Sequence, residues 1–191
     1  MREHVLLSIA LLALAGCSKS DKPEASGAAQ QKTEPALSAP RIDACSLLTS
    51  GDIQAVQGEP IQETKPSSPA DGSFAISQCY FAVATASNSV VLTVTQQAGG
   101  GGARNPKDYW QETFHPSPKE AEKEEEGEKK SPPMKIEGVG DEAFWSGNAV
   151  GGALYAIKGD SFIRISVGGA GDTNAKLEKS KKLAEIVLKR L

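Results

Sequence analysis

Hydrophobic positions change their spacing several times along the chain. Behind Met1-Arg2-Glu3-His4 runs an unbroken apolar stretch from Val5 to Ala15. It is too short to span a bilayer and has the length of the apolar region of a secretion signal, which predicts a removable leader over residues 1–16. Residues 18–41 are rich in Ser, Lys, Glu, Pro, Ala and Gln and carry no periodic apolar face. Such a stretch behaves as a flexible tether with a mean reach of roughly 25–30 Å. Apolar spacing returns near Ile42, so the folded domain is expected over residues 42–191.

Within that domain the punctuation is clear. Thr49 and Asp52 read as a capping box, Leu48 as its hydrophobic staple onto Ile53, and Gly58 and Pro60 as the stop, giving a short helix with Cys45 at its entrance. Residues 61–73 read as a polar loop with a turn at Asp71-Gly72. Alternating apolar positions then predict strands over 74–83 and 89–96, with Cys79, Phe81 and Val83 on the inner side. Gly99–Gly102 breaks the pattern, and Asn105-Pro106 opens a helix that carries Trp110 and Phe114 four residues apart and stops near His115-Pro116. Residues 119–131 are a mixed-charge segment with nothing to bury, expected to be a solvated loop. Glu142–Trp145 reads as a short strand, and 154–158 and 162–167 as a hairpin turning at Gly159-Asp160. That turn sets Leu154 against Ile165 and Tyr155 against Arg164. Both hairpin faces look apolar and so call for cover on each. A final helix, opened by Asp172 or Thr173, supplies a stripe of Leu177, Ala184, Val187, Leu188 and Leu191. The expected fold class is α+β, an antiparallel sheet covered by helices on both faces in the order α-β-β-α-β-β-β-α. The strand-hairpin-then-helix unit occurs twice in this order, as in a structural pseudo-repeat.

Composition narrows the picture. A chain of 191 residues, 39% of them hydrophobic, can bury one sizeable core. Its net charge is −3, and losing Arg2 and Glu3 with the leader leaves that unchanged. Mild acidity argues against a nucleic-acid groove, which needs a clustered basic face. The apolar run ends in Leu14-Ala15-Gly16-Cys17, which resembles the lipobox of bacterial lipoproteins. The resemblance implies cleavage before Cys17 and acylation of that cysteine, and several acyl chains make a stable anchor. Ser18 stands where such lipoproteins carry an inner-membrane retention signal, so an outer-membrane destination is favoured in a cell that has one. Export places the remaining pair, Cys45 and Cys79, where disulfides persist, and a bridge between them is expected. A redox or metal pair would lack a CxxC spacing and a neighbouring histidine.

A wider likeness rests on Cys45-Ser46-Leu47-Leu48-Thr49 with Gly58, then Cys79-Tyr80, then Gly138-Val139-Gly140-Asp141-Glu142-Ala143-Phe144-Trp145, a Lys158-Gly159-Asp160 hairpin and a terminal helix. This arrangement over residues 42–191 resembles a family of small envelope lipoproteins of unknown function, common in actinobacteria. The resemblance implies an α+β fold with an antiparallel sheet and a cysteine pair, and no enzymatic activity. The charged stretch at 119–131 departs from the compact version of that family.

Three places invite chemistry. Gly168-Gly169-Ala170-Gly171-Asp172-Thr173 lies between strand and helix, where phosphate loops lie, yet it has no Gly-Lys-Ser/Thr and no GxGxxG. His115 is the histidine left after the leader, and no GxSxG elbow accompanies it. Asp141 and Glu142 near Trp145, with Asp160 on the hairpin, make a candidate carboxylate pair beside an aromatic shelf. None of these assembles a catalytic, cofactor or metal site. The expectation is therefore a non-catalytic, lipid-anchored module that binds an envelope protein or cell-wall component, without cofactors. A carboxylate-based hydrolase of cell-wall material and a small-ligand carrier or inhibitor are the rivals.

Overall fold

The computed structural model describes residues 40–69, 72–117, 132–148 and 151–191. The leader, Cys17, most of the tether and the charged stretch 119–131 lie outside them. Seven antiparallel strands form one sheet: β1 (Ile61–Ser67), β2 (Phe74–Val83), β3 (Val90–Gln97), β4 (Met134–Ile136), β5 (Glu142–Gly147), β6 (Gly152–Lys158) and β7 (Ser161–Val167). Three helices, α1 (Ser50–Gln57), α2 (Pro106–Phe114) and α3 (Thr173–Arg190), accompany it among the described residues. The spatial order β1-β2-β3-β7-β6-β5-β4 comprises two consecutive meanders joined edge to edge between β3 and β7.

Two strands stand where the apolar pattern gave none. β1 occupies part of the expected 61–73 loop, and β4 precedes the expected strand at 142–145. Both are the outermost strands of the sheet. An edge strand has one partner and faces water, so its sequence need not alternate. β1 is exposed from Gln62 onward, and Pro66 is tolerated because an edge can omit a backbone donor. β4 spans three residues, with Met134 47% exposed. The observed order is thus α-β-β-β-α-β-β-β-β-α, one strand longer in each half than the pattern predicted.

Elsewhere local chemistry sets the elements. The Thr49 hydroxyl accepts from Asp52 N at 3.2 Å while the Asp52 carboxylate accepts from Thr49 N at 2.8 Å, satisfying two orphan donors of α1. Gly58 ends the helix with φ of 83°, a left-handed conformation that side chains resist. Across the Gly159-Asp160 turn, Leu154 pairs with Ile165, Tyr155 with Arg164, Ala156 with Ile163 and Ile157 with Phe162.

Core residues divide by parity. Ala143, Trp145, Ala156 and Ile163 belong to a large cluster that includes Cys79, Leu92, Ile53 and, from α3, Leu177, Leu183, Ala184 and Val187. Their strand neighbours Phe144, Ile157 and Phe162 form a smaller cluster with Trp110. Successive strand side chains point to opposite sides, so the two clusters lie on opposite sheet faces.

Braces tie the chain ends to this core. Cys45, in a 3-10 turn before α1, is bonded to Cys79 of β2. The Arg190 guanidinium at the end of α3 donates to Leu47 O and to Asp52, each at 2.7 Å. Burial pushes the Asp52 carboxyl up, but hydrogen bonds from Arg190 and Thr49 hold it below its ordinary value. The disulfide closes a separation of 34 residues. Replacing both cysteines by Ser is expected to lower stability by about 4 kcal/mol on chain-entropy grounds. Urea unfolding of the paired variant against the oxidised chain checks this, and a loss under about 1 kcal/mol contradicts it.

Candidate functional site

The most elaborate polar cluster gathers around the start of β5. Asn105 caps α2 by accepting from Lys107 N at 2.8 Å, and Pro106 takes the first-turn position where no donor is missed. The helix then presents Trp110 and Phe114 to the sheet. Phe114 stacks on Phe144 with centroids 4.7 Å apart, and Tyr109 stacks on Phe162 at 5.7 Å. Glu142 sits at the rim of these rings. One of its oxygens accepts from the Trp110 indole N–H and from His115 Nε2, both at 2.8 Å, and Lys135 of β4 lies 3.4 Å from the other. Burial pushes the Glu142 carboxyl up, yet the hydrogen bonds from His115, Trp110 and Lys135 outweigh it and hold the pKa below its ordinary 4.5.

The structure thus brings together His115 and Glu142, two residues singled out separately. An imidazole oriented by a carboxylate is half of a nucleophile-activating relay. Here the carboxylate is shared with an indole and an ammonium, so its electron pairs secure α2 and β4 to β5. His115 and Lys135 precede and follow the charged stretch 119–131 in sequence, and both meet the one Glu142 carboxylate.

The other candidates go elsewhere. Asp141 accepts from Gly159 N at 2.8 Å and pins the hairpin turn. Asp160 pairs with Lys107 of α2 at 2.9 Å. Asp141 and Glu142 are therefore committed to different partners. At Gly168 an added Cβ would lie 2.1 Å from Ser87 O, which explains the missing side chain as close packing against the β2–β3 connection. Asp172 caps α3 by accepting from Ala175 N at 2.8 Å, so the helix's own carboxylate occupies the place an anion would take. Cys45 and Cys79 are joined as expected, and Cys17 lies outside the described residues.

One feature escaped the apolar pattern. The smaller cluster covers the α2 end of its sheet face, while Tyr80, Val91, Thr93, Tyr155, Arg164 and Ser166 on the rest of that face stay partly exposed. In the run Ile163-Arg164-Ile165 the arginine reads as one polar break between apolar neighbours. Its position in β7, fourth of seven strands, makes it the middle of the sheet. Among the described residues no helix is long and apolar enough to cross a membrane. Comparison with known proteins returns nothing: no family model, no curated protein and no solved structure matches the chain.

A carboxylate whose pKa folding lowers gives stability that is complete above its ordinary value and is lost as pH falls through the folded value. Glu142→Gln is accordingly expected to cost about 1–2 kcal/mol at pH 7. Its deficit against the parent chain should shrink as the pH drops below 4.5. Urea titrations at stepped pH measure this difference, and a deficit independent of pH removes the clamp role.

Proposed function

We propose that this chain is a non-catalytic cell-envelope lipoprotein. Lipid on Cys17 and a tether over 17–41 hold a single binding domain, residues 42–191, on the outer side of a bacterial membrane, the outer membrane where the cell has one. The partner is an envelope protein or a cell-wall component, and nucleic acid and cofactors play no part. The likeness of residues 42–191 to small actinobacterial envelope lipoproteins supports the same assignment. In this reading the sheet is covered by helices on both faces, by α1 and α3 on one and by α2 over part of the other.

The observation that carries the proposal is how the candidate chemical groups are used. Glu142 and His115 fasten α2, Asp141 fastens a turn, Asp160 meets Lys107, and Asp172 caps α3. Each group that suggested chemistry makes a contact within the fold. A binding role asks only for a stiff scaffold and a free surface, and a lipid with a long tether suits a domain that must reach a neighbour.

Two measurements test the reading. Cys17→Ser should release the chain from the membrane fraction, and mass analysis of the mature N-terminus should show acyl chains on residue 17; an unmodified residue-17 peptide refutes the anchor. The purified chain should leave peptidoglycan and ester substrates intact, and turnover that disappears in His115→Ala would overturn the non-catalytic assignment.

A further inference from the structure

We propose that the part of the sheet face centred on Arg164 docks an acidic segment of a partner protein, whose carboxylate is held by that guanidinium. This rests on the binding-module reading above and gives it a surface and a partner class.

Arg164 is placed differently from the arginines around it. Arg104 pairs with Glu112 and Arg190 pairs with Asp52, and both are exposed. Arg164 is more enclosed than either, yet among the described residues it holds no carboxylate. Its Nε donates to the Tyr155 hydroxyl at 3.2 Å, and its guanidinium carbon lies 5.8 Å from the Tyr155 ring centroid. Tyr155 is itself packed against Phe114 at 5.5 Å, so the phenol that steers the guanidinium is anchored by the aromatic cluster. A cation drawn partly out of water without a counter-charge gives up hydration that an incoming anion can replace. A guanidinium fixed through Nε keeps the paired Nη donors that grip a carboxylate at two points.

The surroundings fit a protein partner. Thr93 flanks Arg164 on β3, and in the neighbouring row Tyr80, Val91 and Ser166 lie side by side across β2, β3 and β7. Tyrosine and arginine over a flat base of small side chains are the residue types that dominate protein–protein hot spots. The other charges on this part of the face, Lys65 and Glu63 of β1, meet each other at 3.2 Å. Among the described residues Arg164 is therefore the net charge of the patch, positive on a chain whose total is −3. An acidic segment therefore meets charge complementarity on this face.

The test uses the full chain, isotope-labelled and solubilised in detergent. The probes are a blocked octapeptide alternating Glu and Thr, its Gln-for-Glu counterpart, and polygalacturonate as a carboxylated glycan. Nuclear magnetic resonance should show the Glu peptide shifting the Arg164 Nε–H and the amides of Thr93 and Tyr155, with no shift from the Gln peptide. Arg164→Gln should weaken binding about tenfold or more, and Arg164→Lys should weaken it several-fold by removing the two-point grip. Equal binding of the two peptides, or glycan binding in place of the peptide, overturns the proposal. Arg164→Lys keeps the charge and decides the matter should Arg164→Gln fail to fold. In intact cells, a photocrosslinker at Val91 should join the anchored chain to an acidic segment of an envelope protein, and Arg164→Gln should abolish the adduct. Adducts only from a crosslinker at Lys182, on the exposed side of α3, overturn this surface and leave the binding-module reading standing; adducts from neither position overturn both.

Discussion

The ladder between β3 and β7 is the joint on which this architecture depends. Each meander is built from neighbours in sequence and pairs with itself through short turns, but the larger hydrophobic cluster draws its side chains from both. Six residue pairs, from Val90 with Val167 to Thr95 with Phe162, turn two narrow ribbons into one sheet. The larger hydrophobic cluster straddles that seam: Leu92, Val94, Ile163 and Ile165 bring their apolar surface to it from the two sides. Gln57 reinforces the joint from above. Its amide nitrogen donates to the carbonyls of Asn88 and Gly168, one in each half, while its oxygen accepts from Lys179 of α3. A buried amide that spends both ends on contacts across a seam specifies register as well as adding stability.

The seam also explains why the pseudo-repeat is partial. The strands repeat as meander and meander, each followed by a helix, but α2 joins the smaller cluster and α3 the larger. The long α3, with α1, packs into the larger cluster, whereas α2 has nine residues and contributes to the smaller one. Partial cover is what leaves the Arg164 region facing solvent.

How much of this could be read from the sequence follows from the range of each signal. The capping box of Thr49 and Asp52, the proline-led start of α2, the Asp172 cap and the hairpin register depend on residues a few positions apart, and they were legible. The disulfide was legible from the cysteine pair that remains after the expected leader and Cys17. β1 and β4 were not, because edge strands lack a buried side and so need no alternation. His115 and Glu142 were each visible as chemistry-bearing residues, but their meeting across 27 positions depends on where α2 lands and on the pairing of β5. Arg164 was hidden for a different reason: alternation marked its strand as apolar on both sides, and its partial exposure depends on where distant elements pack.

The convergence on Glu142 has a consequence for how this domain can change over time. Because His115 and Lys135 both close on one carboxylate, the entropy of bringing the ends of the intervening stretch together is met by contacts that belong to the folded core. Lengthening a connection between clamped flanking residues costs little, since the closure cost grows only with the logarithm of its length. This position is thus a permissive one for insertion. Descendants of the chain can lengthen, shorten or recompose residues 119–131 while the sheet keeps its register.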